Sequence, residues 1–105
     1  MNEFLPKELK DYIGQNQDTL VKLLDTLCRI PAPSNHEELR AEFIRDWFEN
    51  EGCKGAYIDS ALNVIYPFHC ESQRDLLAFT AHSDTVFPDM EPFDVVYDGD
   101  IMRCP

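Results

Sequence analysis

The sequence predicts a fold of the α/β or α+β class, with helices packed on a sheet. Over residues 5–48, apolar side chains recur at spacings of three and four residues, which is the period of amphipathic helices. After Gly52 the pattern changes to that of short strands. Residues 76–81 form a nearly unbroken apolar run, which is typical of a strand buried on both faces of a sheet.

Three helices are predicted in the first half of the chain. Pro6 suits the first turn of a helix whose apolar face carries Leu5, Leu9, Tyr12 and Ile13. Asp18 is a predicted cap of a second helix, which Pro31 and Pro33 end. Ser34 and Glu37 have the spacing of a capping box before a third helix. That helix ends at Gly52, and its predicted inward side chains are Leu39, Phe43, Ile44, Trp47 and Phe48.

The second half of the chain predicts short strands. Residues 56–58 and 62–68 read as two strands joined through Asp59 and Ser60. After the apolar run, a turn-rich stretch leads to a strand candidate at 93–97. Residues 98–100 have the composition of a hairpin turn, and a return strand begins at 101.

Composition and charge exclude several classes of function. The chain has 105 residues, and its 9 Lys and Arg against 20 Asp and Glu give a net charge of −11. Nucleic acid and anionic membrane surfaces are therefore not expected as partners, because both need clustered basic side chains. No apolar run is long enough to span a bilayer, so no membrane association is expected. The length suits a single domain or part of one.

The cysteines and the first residues predict a cytoplasmic protein. The opening residues lack the basic start and apolar stretch of a secretory signal. The four cysteines are widely and unevenly spaced, with no C-x-x-C pair. Although an even number permits disulfides, the absence of a signal favours thiols in a reducing compartment.

The residues most suggestive of chemistry follow the apolar run directly. His82 and Asp84 are two residues apart, so in an extended backbone their side chains lie on the same side. His82 could then bind a metal through one ring nitrogen while Asp84 accepts a hydrogen bond from the other. Functional groups in open α/β sheets cluster beyond the carboxyl ends of strands. Taken alone, however, this spacing also fits a loop histidine paired with a neighbouring aspartate.

The surrounding sequence resembles the co-catalytic zinc metallopeptidases of clan MH. That family includes aminoacylase, carboxypeptidase G, acetylornithine deacetylase, succinyl-diaminopimelate desuccinylase and peptidase T. Residues 76–88, LLAFTAHSDTVFP, resemble its first metal motif. Residues 27–34, LCRIPAPS, followed by Glu37 and Glu38, resemble its opening segment, and residues 92–93 and 98–102 resemble the approach to its second metal motif. The likeness runs in order from about residue 18 to 105.

The resemblance implies a fold, a cofactor and a reaction. The fold would be α/β, with helices packed on a mixed sheet, and residues 1–105 would be a single partial domain from the N-terminal part of a zinc-peptidase catalytic domain. His82 would be a metal ligand in a two-zinc site, and Asp84 the active-site carboxylate that orients it. The substrate would be a peptide or an N-acyl amino acid. The general base and remaining ligands belong to later motifs, so we expect the 105 residues to be inactive alone. Where many members read Gly-Arg-Gly, this chain has Arg-Cys-Pro at 103–105.

Other candidate residues have simpler explanations. His69 and Cys70 could join His82 as metal ligands, but they are expected to end a strand in a polar turn. Ser83 cannot act with its neighbour His82 as nucleophile and base, because adjacent strand residues point to opposite faces. Acidic clusters near residues 89–94 and 98–100 are expected to be solvated turns, although a weak cation site is an alternative.

Two other functions remain open on sequence grounds. The chain could be a non-catalytic binding or regulatory module that retains the family's N-terminal fold. It could also be a small structural protein in which the spacing of His82 and Asp84 is accidental. If the chain is a partial zinc-peptidase domain, its incomplete sheet would expose strand edges and an apolar face, so self-association is expected.

Overall fold

The computed structural model describes residues 4–71 and 75–105, and it has the mixed helix and strand content of the α/β class. Within the described residues there are three helices and four short strands. The described residues form two compact units, the first of residues 4–29 and 93–105 and the second of residues 30–71 and 75–92. In chain order the elements are α1 (Lys7–Gln15), α2 (Gln17–Arg29), α3 (Glu38–Asn50), β1 (Tyr57–Ile58), β2 (Val64–Ile65), β3 (Val96–Asp98) and β4 (Ile101–Arg103).

The first unit joins helices α1 and α2 to a β-hairpin. Strands β3 and β4 pair antiparallel, and the turn between them places Gly99 at φ 58°, a left-handed conformation that glycine adopts readily. The Tyr97 hydroxyl donates a hydrogen bond to Asp25 of α2. Arg29 bonds the same carboxylate at 2.5 Å and lies 3.5 Å from the carbonyl oxygen of the buried Val95. These contacts hold the hairpin on α2, and the predicted turn at 98–100 is confirmed.

The second unit packs α3 against a small antiparallel sheet of β1 and β2. The Phe48 ring of α3 lies 5.9 Å from the ring of Tyr66, which follows β2. Asp59 makes the predicted connection between the strands, because its Oδ1 accepts hydrogen bonds from the backbone N–H groups of Ala61 and Asn63, both at 2.9 Å. Gly52 lies just beyond α3 at φ 91°, as expected of a helix stop.

The apolar run at 76–81 departs from its prediction. It forms no strand, and Leu76, Leu77 and Phe79 are 62%, 83% and 90% exposed. A strand buried on both faces needs hydrogen-bonded neighbours and covering layers. No strand among the described residues pairs with this segment. Its apolar side chains therefore have no sheet in which to be buried.

Two details at the start of α3 also differ from prediction. The N-cap is Glu37 with no side-chain capping bond, so the Ser34 capping box is wrong. Leu39 is 61% exposed instead of facing inward, whereas Arg40 and Ala41 are buried. The physical reason is that Ser34 and Arg40 bind the segment around Asp84, which turns that side of the helix toward it.

Candidate functional site

The segment that carries His82 and Asp84 lies beside residues 30–34 within the second unit. Thr85 forms a parallel bridge with Pro33, and its backbone N–H donates to the carbonyl oxygen of Ala32 at 2.7 Å. Ala32 is 1% exposed. The polar residues after the apolar run are therefore held against a buried piece of backbone rather than free in solvent.

Arg40 connects helix α3 to both of these segments. Its guanidinium Nη1 donates to the carbonyl oxygen of Ser83 at 2.7 Å and to Oγ1 of Thr85 at 2.9 Å, while Nη2 donates to the carbonyl oxygen of Ile30 at 2.5 Å. The residue is only 8% exposed. One buried cation thus binds the residue on either side of Asp84, through the backbone of Ser83 and the hydroxyl of Thr85.

The Asp84 carboxylate lies between Ser34 and His82. The Ser34 hydroxyl donates to Oδ2 at 2.5 Å, and Nδ1 of His82 lies 3.2 Å from Oδ1. The same ring nitrogen is 3.2 Å from the backbone carbonyl oxygen of Asp84. The Asp84 side chain is 30% exposed, whereas that of His82 is 81% exposed. The predicted side-by-side placement of the two residues is thus present, with Ser34 as a third member.

Hydrogen bonding stabilises the charged form of this carboxylate. The Ser34 hydroxyl, with a smaller contribution from the His82 ring, holds the pKa of Asp84 below its ordinary value. Partial burial acts in the opposite direction and does not prevail. Asp84 therefore remains an anion, and an anion is the strongest acceptor for an imidazole N–H.

The geometry suits a histidine that binds a cation through Nε2. When Nδ1 carries the proton and donates it to Asp84, the lone pair of the ring lies on Nε2, on a side chain that is mostly in solvent. Zinc-binding histidines characteristically donate their other nitrogen to a carboxylate in this way. The residues present therefore fit one ligand of a zinc site.

The remaining ligands of such a site are not assembled here. Across residues 4–71 and 75–105, no group of three or more His, Cys, Asp or Glu side chains is placed to hold a metal ion. A zinc ion needs about three protein ligands. His82 and Asp84 can thus contribute to a metal site but do not complete one.

The alternative ligands, His69 and Cys70, have local partners. The His69 ring lies 4.2 Å from the Phe68 ring, and Sγ of Cys70 is 3.4 Å from the Phe68 carbonyl oxygen. Both residues are exposed. Their contacts are those of a surface turn.

An open cleft adjoins the Ser34 side of the site. Its volume is about 350 Å³, and its lining is mainly apolar, with Pro33, Val86, Phe87, Pro88 and Met90 beside Ser34 and His36. Its lining includes Val86, two residues after Asp84 in the chain.

Sequence reasoning assigned Ser34 the wrong role and missed Arg40. The position of Arg40 carried a readable signal, because residues 40, 43, 44 and 47 fall on one helical face whose other members are apolar. An arginine on such a stripe must find acceptors when it is buried. Those acceptors come from residues 43 and 45 positions further along the chain, so the sequence could not name them.

Comparison with known proteins gives one informative similarity. Over 86 residues, the chain is 38% identical to a protein of Pyrococcus abyssi named "Putative LysW-lysine/LysW-ornithine hydrolase". The alignment covers 82% of this chain but 24% of that protein, so the chain spans about a quarter of this relative's length. No protein-family model and no solved structure matches the chain. This distant sequence similarity links the chain to one segment of a hydrolase.

None of the helices in the described part of the chain is long and apolar enough to cross a membrane. The four cysteines are present as thiols.

Proposed function

We propose that this chain supplies part of the active site of a zinc-dependent hydrolase that cleaves peptide or N-acyl amide bonds, as the resemblance to the clan MH metallopeptidases implies. In this proposal His82 is a ligand to one of two zinc ions, and Asp84 is the active-site carboxylate that orients it. The observation that carries the proposal is the series of hydrogen bonds that joins Ser34 to Asp84 and Asp84 to His82. The similarity to a segment of a named hydrolase supports it.

The chain's own residues have defined tasks in this function. Asp84 keeps the proton of the His82 ring on Nδ1, so that Nε2 is available to the metal. Ser34 holds the second carboxylate oxygen and keeps Asp84 ionised. When bound, the zinc would polarise the scissile carbonyl and lower the pKa of a bound water. The general base and the other ligands would come from outside these residues.

The substrate class can be narrowed for testing. The relative's name specifies lysine and ornithine joined to LysW, so N-acylated lysine and ornithine belong among the candidate substrates of this protein. The apolar cleft beside Ser34 could receive an apolar part of such a substrate.

The test is metal-dependent hydrolysis by the full-length natural protein. Dipeptides, tripeptides and N-acyl amino acids, including the lysine and ornithine derivatives, are assayed with zinc and after chelation. We expect zinc-dependent cleavage of at least one class, and a loss of about 100-fold or more in His82→Ala, because a zinc ligand is removed. His69→Ala is the matched control, since His69 is an exposed histidine that contacts Phe68 and not Asp84.

Two outcomes would contradict the proposal. If wild type hydrolyses none of these substrates yet binds one of them or another protein, the non-catalytic binding module is favoured. If His82→Ala and His69→Ala hydrolyse equally well, the activity does not use His82, and its spacing with Asp84 is accidental.

A further inference from the structure

Arg40 is a buried charged residue whose guanidinium group donates to oxygen acceptors near the candidate site. It lies in the first turns of α3 with only 8% of its surface exposed. A buried guanidinium is costly unless its N–H groups find good acceptors. Here it finds two backbone carbonyl oxygens and one hydroxyl oxygen.

The acceptors of Arg40 flank the candidate site on both sides. Ser83 and Thr85 are the immediate chain neighbours of Asp84, and both are bonded to the same guanidinium nitrogen. The third acceptor, Ile30, lies in the segment that also carries Ser34. The planar, fork-shaped guanidinium can hold these groups at fixed spacing, which a lysine cannot do.

We propose that Arg40 is a positioning residue of the His82–Asp84 site. By binding the Ser83 carbonyl oxygen and the Thr85 hydroxyl together with the Ile30 carbonyl oxygen, it keeps the Asp84 carboxylate between Ser34 and Nδ1 of His82. The effect on His82 is indirect, because no hydrogen bond joins it to Arg40 among the described residues. The contribution of Arg40 to catalysis rests on the proposed function, whereas its control of His82 orientation does not.

The first experiment measures the orientation directly in the 105-residue chain. Long-range proton–nitrogen NMR identifies which ring nitrogen of the neutral His82 imidazole carries the proton. In wild type we expect the proton on Nδ1. In Arg40→Met we expect loss of that preference, because Asp84 is no longer held beside the ring. Arg45→Met is the matched control, since Arg45 lies on the same helix and forms an ion pair with its neighbour Asp46 instead of bonding the Asp84 segment.

Milder variants keep the test decisive if Arg40→Met fails to fold. Arg40→Lys retains the charge but cannot reach all three acceptors, and Thr85→Val removes one acceptor with little change of shape. Both should weaken the Nδ1 preference while the backbone spectrum stays dispersed. The inference is overturned if every folded variant keeps the wild-type tautomer, or if wild type itself carries the proton on Nε2.

The second experiment uses zinc affinity and hydrolysis in the full-length natural protein. We expect Arg40→Met to weaken zinc binding about 10-fold, the lower end of what loss of outer-shell support produces, and Arg40→Lys to recover part of this loss. If wild type shows no hydrolysis but the tautomer changes as expected, the proposed function fails and the positioning role stands. If hydrolysis is present and neither the tautomer nor zinc affinity responds to Arg40, the positioning role fails and the proposed function stands.

Discussion

Replacing Asp84 gives the sharpest test of how this site is built. Both carboxylate oxygens are in use, since Oδ2 accepts from Ser34 at 2.5 Å and Oδ1 faces Nδ1 of His82 at 3.2 Å. Asp84→Asn keeps the shape and one acceptor oxygen but removes the charge. Asp84→Ala removes the acceptor altogether, and the His82 ring is then free to rotate and to change tautomer.

The two variants should reduce zinc affinity by different amounts. Loss of a carboxylate behind a metal-binding histidine reduces metal affinity by about 10- to 100-fold. Asn can still accept from Nδ1 while its amide donates to the Ser34 hydroxyl, so we expect Asp84→Asn near 10-fold. Asp84→Ala leaves the ring unsupported, so we expect it near 100-fold.

The measurement is zinc affinity in the full-length natural protein, by competition with a chromophoric chelator, with kcat/KM as a second readout. Asp89→Asn is the control, because it makes the same charge change in the exposed loop that follows. The reasoning is refuted if Asp84→Ala binds zinc within about twofold of wild type while His82→Ala does not bind, because Asp84 would then orient nothing.

Three further predictions concern pH, backbone conformation and association. The lowered pKa of Asp84 means that its contribution to stability is present above the unfolded value of about 3.9 and is lost as pH falls through the folded value. Ser34→Ala should therefore raise the carboxyl pKa of Asp84 in an NMR titration, bringing it closer to the unfolded value. An unchanged titration would contradict the assignment. Gly99→Ala should destabilise by about 1 kcal/mol, because an added Cβ has open space but the left-handed backbone is strained. Gly14→Ala, in a helix with equally open surroundings, should stabilise by about 0.5–1 kcal/mol; denaturant unfolding that shows the same sign for both would be inconsistent with these backbone conformations. Finally, the exposed apolar run at 76–81 should promote self-association of the 105-residue chain, visible by light scattering after size-exclusion chromatography, and Leu77→Lys should reduce it. A monomeric wild type at high concentration would count against this.

Local signals predicted most of the fold. The helices end where Pro31 and Gly52 predict, and the hairpin turns at Gly99, because these residues restrict or permit backbone conformations whatever surrounds them. The apolar run at 76–81 was predicted as a strand and is not one, because a strand needs partners and the sequence of the run itself does not supply them. The backbone signals of proline and glycine were therefore reliable, whereas the Ser34 capping box and the strand at 76–81 were not, because their side chains and backbone depend on other segments.

The candidate site divides in the same way. The sequence by itself determined that His82 and Asp84 lie side by side, since two residues of extended chain suffice for that. Only the tertiary structure decided that Ser34 binds Asp84 instead of capping α3, and that Arg40 holds the Ser83 carbonyl and the Thr85 hydroxyl on either side of Asp84. Those contacts join residues 43 to 50 positions apart. Their partners are chosen by how the chain folds back on itself, because a hydroxyl or guanidinium group bonds whichever acceptor burial brings within reach.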